Sequence, residues 1–418
     1  MYISKIELEN IRCFKHLTID LKKDRDIILW TTILGDNAVG KSTILKCIAM
    51  GLCDEASAAA LMKETTGEFL RKKEKEGYIK LTLEEIKGKR KFEIITNIKK
   101  EDPESPEKIR QGENKIPWQD IFFCGYGVEI GNNGTTSFKQ YEPLEAVYTL
   151  FNSNGELQNP ELIMLRQTES VRKILEEKLL KILMQEKDYK ISYSKKGMVF
   201  NGPSGEFLIG ELSDGYRTIS LRITDFFGWA SYAEKFVNKE GNIEGILLID
   251  ELENHLHAKW QRYIVSRLRK QLSGVQIIIT THSPIIALGT SDLAEKAQFV
   301  ELEFESKKDN LVKENIVNAE NYKGLSVDQI LTTNAFNLPI ARSGITGDKL
   351  IAFRTLFLKD KRTKDEDKKF KKLKIEIEKD IPEAGEKEMD RVIQKDLKDI
   401  LENLNKKLPP LNYDKTKT

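Results

Sequence analysis

The chain has 418 residues, of which 39% are hydrophobic and 32% charged, with a formal net charge of +2. That length is expected to give two or three domains with large cores, and the balance excludes a disordered chain and a globally polyanion-binding one while leaving local basic patches open. Cys13, Cys47, Cys53 and Cys124 form no C-x-x-C pair, and no stretch approaches about 18 apolar residues, so the expectation is a soluble, cytoplasmic protein with reduced thiols, no membrane partner and no targeting signal.

In chain order, residues 1–34 read as three strands: YISKIEL, KHLTIDL with Leu17, Ile19 and Leu21 alternating, and the apolar run DIILWTTIL. GDNAVGKST (35–43) follows, leading into a helix from Ser42 that carries Ile44, Leu45, Ile48 and Ala49. Gly35, four residues, then Gly40, Lys41 and Ser42 is the spacing of a phosphate-binding P-loop, in which glycines let backbone N–H groups approach phosphate oxygens at a helix N-terminus. A chance glycine turn is the competing reading, and the strand before and helix after weigh against it.

Further on, YIKLTLE and KFEIITNI alternate and predict a hairpin around KGKR, whereas the charged, proline-containing stretch 99–115 reads as a surface insertion. IFFCGYGV reads as a buried strand ending at glycines. A helical block spans about 160–186, with Val171, Leu175, Leu179 and Ile182 at spacings of four and three. The glycine-rich hairpin MVFNGPSGEFLI then leads to ELSDGYRTIS and a helix ending near residue 237. The strand GILLID, a helix from about Ala258 and the strand VQIIITTHS complete an alternation that implies a largely parallel sheet covered on both faces, with ligands at the strand C-terminal ends. From about residue 320 a Lys- and Glu-rich helical tail is expected, with Leu350, Phe353 and Phe357, then Phe370, Leu373 and Ile377, then Ile393, Leu397, Ile400 and Leu404 at helical spacing.

GILLIDELENHLH brings Asp250 and Glu251 to a strand end. Acids there can simply mark a surface strand end. With a P-loop upstream, Asp250 would hold Mg²⁺ through its water, and Glu251, facing the other way, would orient and deprotonate an attacking water. IIITTHSP puts His282 at the end of another buried strand, within reach of a γ-phosphate, although a lone histidine there is more often a satisfied polar group. In LSDGYRT, Ser213 and Gly215 open a helix and offer a second anion-binding N-terminus, where an ordinary capping turn is the alternative. The order of the four motifs discriminates between these readings.

P-loop, Ser-x-Gly helix start, apolar-Asp-Glu and strand-end His in that order resemble the ATP-binding-cassette (ABC) class of P-loop ATPases, within its RecF, SMC and OLD branch, over residues 1 to about 300. IELENIRCFKHLTIDL looks like the N-terminal strands of that branch, LSDGYRT like its signature, IDELENHLHAKWQ like its Walker B and D-loop, and TTHSP like its switch histidine. The nearest likeness is to single-chain OLD-like ATPases of bacterial anti-phage systems, including those of Septu and PARIS. The resemblance implies an α/β fold, an ABC-type head with mixed and parallel sheets flanked by helices plus a helical C-terminal region. The implied domains are 1–318, with an inserted strand, loop and helix region at about 85–200, and 319–418 for assembly or effector docking.

The same resemblance implies ATP and Mg²⁺ as cofactors. Lys41 would contact the β- and γ-phosphates, Ser42 would bind Mg²⁺ beside Asp250, and Asn37, Gly40 and Thr43 would line the phosphate loop. Ser213 and Gly215 would close over the nucleotide of a partner chain, with Glu251 and His282 catalytic. Departures from the pattern are Asp214 for the first signature glycine, Ala258 for the proline that often follows HLH, and Glu129 in YGVEI, which supplies no arginine. Gln111, Gln119 and Gln140 all remain candidates for the Q-loop. Glu253, His255 and His257 invite a metal-site reading, but the D-loop already accounts for them.

Three functions compete. The first is an ATPase that dimerises, or assembles further, around ATP and regulates a separately encoded effector, a nuclease of HNH or Toprim type; after TTHSP the chain shows no acidic Toprim site. The second is a RecF-like DNA repair or clamp ATPase, for which lysine clusters such as KKFKKLK (368–374) would contact DNA, although a charge run is usually a solvated face. The third is a transporter subunit. Lys41 and Ser213 lie 172 residues apart, longer than a compact transporter cassette needs, and no long coiled coil supports an SMC. The regulator is the favoured reading.

Overall fold

The computed structural model describes residues 1–380 apart from 86–89, 103, 113–116, 130–139, 184–187, 195–196, 204, 234–235, 238–239, 337, 339–343 and 360. The chain divides into two compact units, Met1–Asn337 and Leu338–Thr418. The first begins with β1 (Tyr2–Ile11), β2 (Phe14–Asp20), a short ribbon of β3 (Lys22–Lys23) and β4 (Asp26–Ile27), β5 (Trp30–Gly35), α1 (Lys41–Leu52) and α2 (Glu55–Lys63). Then come β6 (Glu76–Glu84), β7 (Lys91–Lys99), β8 (Lys108–Gln111), β9 (Phe123–Tyr126), α3 (Pro143–Val147), α4 (Pro160–Leu165) and α5 (Glu169–Ile182). The chain continues through β10 (Lys190–Ser194), β11 (Gly197–Gly202), β12 (Gly205–Leu208), α6 (Asp214–Tyr232), β13 (Gly245–Ile249), α7 (Ala258–Gln271), β14 (Val275–Thr280) and α8 (Pro284–Ser291). β15 (Gln298–Ser306), β16 (Leu311–Asn318) and α9 (Val327–Leu331) close the first unit, and the second holds α10 (Gly344–Phe357) and α11 (Lys364–Asp380).

This is the expected α/β class, with mixed and parallel sheets flanked by helices. One sheet, in the order β2-β1-β6-β7-β8, is antiparallel throughout. The other runs β16-β15-β5-β14-β13-β9 and is parallel except where β16 pairs with β15. Strands β13 and β14 are apolar without alternation because both their faces are covered. Ile246, Leu248 and Ile278 face one core with α1 and the antiparallel sheet, while Leu247, Ile249, Ile277 and Ile279 face the other with α5, α6 and α7. Gln276, fully buried, ties the two sheets together: its side chain accepts from Ile3 N–H and donates to the Ile3 and Ile28 carbonyls.

Several elements differ from the sequence expectation. The stretch 99–115 holds β8, an edge strand paired with β7, and the glycine hairpin gains a third strand, β10. The helical block is split into α4 and α5, and α6 ends at Tyr232. Residues 298–318, given no element by the sequence, extend the parallel sheet as β15 and β16. Residues 319–336, grouped with the tail, contain a 3-10 turn at Ala319–Tyr322 and the short α9, and put Ala319, Tyr322, Ile330 and Ala335 into the first unit's core. In the second unit Leu350, Phe353 and Ile377 are buried, with the Phe353 and Phe370 rings 4.6 Å apart. The expected segment at Ile393, Leu397, Ile400 and Leu404 lies outside the described residues.

Candidate functional site

Parallel neighbours β5, β14 and β13 bring three chain segments to one sheet edge: the Gly35–Gly40 turn, Thr281–His282 and Asp250–Glu251. The turn needs its glycines. Gly35 has φ +148° and Gly40 +92°; a Cβ on Gly35 would lie 2.7 Å from the Leu302 carbonyl oxygen, and one on Gly40 2.6 Å from Cys13 Sγ. The first N–H groups of α1 have no partner inside the helix, so the turn ends in a row of donors. A pocket of about 380 Å³ opens there, lined by Asn37, Gly40, Lys41, Ser42, Thr43, Glu251 and His282 together with Arg12, Cys13, Ala38 and Asn310.

Lys41 Nζ donates to the Gly35 and Asp36 carbonyls at 2.8 and 2.7 Å and lies 3.5 Å from His282 Nδ1. Burial pulls its pKa down to about 8, against the opposing pull of Asp250, Glu251, Glu253 and Asp36, so it stays mainly cationic at neutral pH. His282 is also shifted down, first by burial and then by Lys41, which favours a neutral imidazole. Its Nε2 is 4.0 Å from Glu251 Oε1.

Asp250 is buried at 5% exposure, and its carboxylate accepts from Thr280 Oγ1. Glu251 turns away in the left-handed region, φ +47°, and its N–H donates to the same Thr280 oxygen at 2.8 Å. The strained backbone is what sends adjacent acids to different places, one beneath the pocket and one lining it. Burial and the neighbouring Asp250 raise the Glu251 pKa, which moves it toward that of an effective general base.

Ser213 and Gly215 are placed elsewhere. Ser213 is exposed at the start of α6, and Gly215 packs beneath the His255 carbonyl, where a Cβ would come within 2.6 Å. Neither lines the P-loop pocket. Beside them a second pocket, of about 640 Å³, is lined by Asp214, Arg217, Thr218 and His255 among others.

Sequence reading missed Thr280 and Arg222, and weighed Glu253 only as a metal ligand. Thr280 joins the two acids, as just described. Glu253 accepts from Thr281 Oγ1 at 2.6 Å and from His282 N–H, fixing the backbone of His282. Arg222, fully buried on α6, donates to the Gly127 and Val128 carbonyls, the segment where YGVEI supplied no arginine. Thr280 and Glu253 sat inside quoted motifs, so their position was the available signal; Arg222, 95 residues from Gly127, left none.

His255 and His257 do not join Glu253 in a metal site: among the described residues no cluster of three or more His, Cys, Asp or Glu side chains is arranged for one, and His257 Nδ1 caps α7 by accepting from Lys259 N–H. Of the glutamine candidates, Gln111 lies on β8 bonded to the Cys53 carbonyl, while Gln119 and Gln140 are exposed and none lines the P-loop pocket.

The chain is similar to several known proteins. A family model described as "AAA ATPase domain" matches residues 1–202, and one described as "AAA domain, putative AbiEii toxin, Type IV TA system" matches residues 137–288. The chain is 27% identical over 350 residues to the Septu protein PtuA of Bacillus mycoides (strain KBAB4), covering 81% of this chain and 45% of that protein. It is 36% identical over 81 residues to the Retron Vc95 probable ATPase of Vibrio cholerae serotype O1 biovar El Tor, covering 19% of this chain and 16% of that one. It thus spans less than half the length of either relative. An SMC head bound to the C-terminal winged-helix domain of ScpA superposes with a TM-score of 0.47 at 14% identity, covering 78% of this chain and all of that one. With its P-loop at a parallel sheet edge, the chain carries segments that match AAA-family ATPase domains between residues 1 and 288 and is similar to the Septu protein PtuA.

Proposed function

We propose that the chain is an ABC-type ATP hydrolase that dimerises around ATP and regulates a separately encoded effector, a nuclease, in cytoplasmic anti-phage defence. The observation that carries this reading is the separation of two half-sites: the P-loop pocket holds Lys41, Ser42, Glu251 and His282, while Ser213 and Gly215 sit by a different pocket. A second chain in the opposite orientation would bring its signature over the first chain's phosphates, giving an isologous interface with two composite sites. The defence role is supported by the likeness to a Septu protein and a retron ATPase; the nuclease effector is what the resemblance of the motifs implies. No helix among the described residues is long and apolar enough to cross a membrane.

Within the site, α1 N–H groups and Lys41 bind the phosphates, Asn37 and Thr43 line the loop, and Glu251 takes a proton from water while neutral His282 lies beside it to meet the γ-phosphate. The Ser42 hydroxyl and Asp250 carboxylate are hard oxygen donors, few in number, which suits Mg²⁺. Bound there, Mg²⁺ would neutralise phosphate charge. The test is hydrolysis by purified protein: Lys41→Ala should lose nucleotide binding, and Glu251→Gln should bind ATP and stall. Rapid turnover by Glu251→Gln would remove it as the base.

A further inference from the structure

Arg222 is 0% exposed, yet only one of its guanidinium nitrogens is satisfied: Nη2 donates to the Gly127 carbonyl at 2.6 Å and the Val128 carbonyl at 3.1 Å, while Nε and Nη1 have no acceptor among the described residues. A buried cation without a direct carboxylate partner is costly, and it is more readily explained by a functional role than by stability. What it touches is informative. The Val128 carbonyl also accepts from Asn254 Nδ2 at 3.2 Å, and the preceding Tyr126 carbonyl accepts from Asp250 N–H at 2.9 Å. Both ends of the segment Asp250–Asn254, which carries Glu251, are therefore fastened to Tyr126–Val128, and Arg222 fastens that segment to α6. Burial pulls the Arg222 pKa down to about 10, against the opposing pull of the Asp250, Glu253 and Glu251 carboxylates. Ser213 and Gly215 open the same helix, and nine residues of α-helix place Arg222 about 13 Å along it.

We propose that Arg222 is a positioning residue for ATP hydrolysis: through the Gly127 and Val128 carbonyls it couples the start of α6 to the Asp250–Asn254 segment, so that capture of a nucleotide by Ser213 and Gly215 orients the same chain's Glu251. In a dimer each nucleotide then sets the acid of the other site. This rests on the trans-acting signature proposed above, and the experiment separates the two.

Full-length Arg222→Met, Arg222→Lys and Asn254→Ala are compared for steady-state ATP hydrolysis, thermal midpoint and amide hydrogen exchange over residues 250–256. Arg222→Met should lower kcat on the order of 10- to 100-fold, with KM within about twofold, because a slightly misplaced base loses rate rather than binding. Its thermal midpoint should hold or rise, since an unpaired buried charge has been removed. Arg222→Lys, keeping the charge and one carbonyl contact, should recover part of the rate. The double variant Arg222→Met/Asn254→Ala should lose less than the product of the single losses, because both act on Val128. In a Glu251→Gln background ATP with Mg²⁺ should protect 250–256, and either Arg222→Met or Ser213→Arg should abolish that protection.

Wild-type kcat and unchanged protection in Arg222→Met would overturn the proposal. So would a rate loss that travels with an equal KM rise and a lowered midpoint and is not relieved by lysine, the pattern of a merely structural residue. Failure of the underlying reading looks different: Ser213→Arg would leave protection intact. If that protection nonetheless depended on Arg222, the trans signature would fall while the Arg222 link itself stood.

Discussion

At the scale of single residues, Lys41, Thr280, Glu251 and Glu253 are held by hydrogen bonds around one pocket, and the proposal divides charge, orientation and chemistry among them. Glu251→Gln would remove the proposed base and keep a side chain of the same size in the pocket. Its kcat should fall by on the order of 100-fold or more while ATP binding stays near wild type, as measured by turnover and equilibrium binding on one preparation. Gly40→Ala should abolish nucleotide binding, because φ +92° and the close approach of Cys13 and Phe14 leave no room for a methyl group. These positions were legible because contiguous motifs carry them. The individual work of Thr280, Glu253 and Arg222 was not, since each acts on a distant partner: Glu251 lies 29 residues from Thr280, and Gly127 lies 95 from Arg222.

Among elements, the apolar strands β5, β13 and β14 were evident from composition, and others were hidden for identifiable reasons. β10 is only five residues long and none of them is fully buried: Ile191 and Tyr193 alternate with polar residues but only half-pack against the core, which leaves a weak signal. β15 is buried at its start yet contains Gln298 and Glu301, which are satisfied by the Asp20 carbonyl, Tyr322 and Asn315; polar groups with long-range partners disguise a core strand. A comparable buried group joins β9 to α6. Asp225 accepts from Tyr126 Oη at 2.8 Å and Gln158 N–H at 2.9 Å, and burial raises its pKa to about 6. An acid whose folded pKa lies above its unfolded value contributes stability below the unfolded pKa and loses it as pH rises through the folded one. The wild type should therefore lose stability relative to Asp225→Asn between about pH 4 and pH 6, with no further change above that window, as read by denaturant midpoints at each pH. A wild type that gained stability relative to Asp225→Asn as pH rose through that window would contradict the assignment.

At the scale of the whole molecule, both large cores lie within Met1–Asn337, so a chain ending at Asn337 should fold and bind nucleotide. Residues from Leu338 on are proposed to serve assembly or effector docking, and their loss should reduce mass by light scattering or co-purification with the neighbouring gene product. Unchanged mass and co-purification, or outright unfolding, would instead mean that they only cover their own chain. The composite site makes a stricter demand. Mixing Lys41→Ala with Ser213→Arg chains can regenerate only one site per heterodimer, so the mixture should regain activity but no more than about half the wild-type rate. The most direct measurement is the mass of Glu251→Gln by light scattering with and without ATP and Mg²⁺. The account predicts a monomer that doubles in mass with ATP, and no doubling when Ser213→Arg is added to the same chain; wild-type protein that hydrolyses ATP at full rate while remaining strictly monomeric would contradict it.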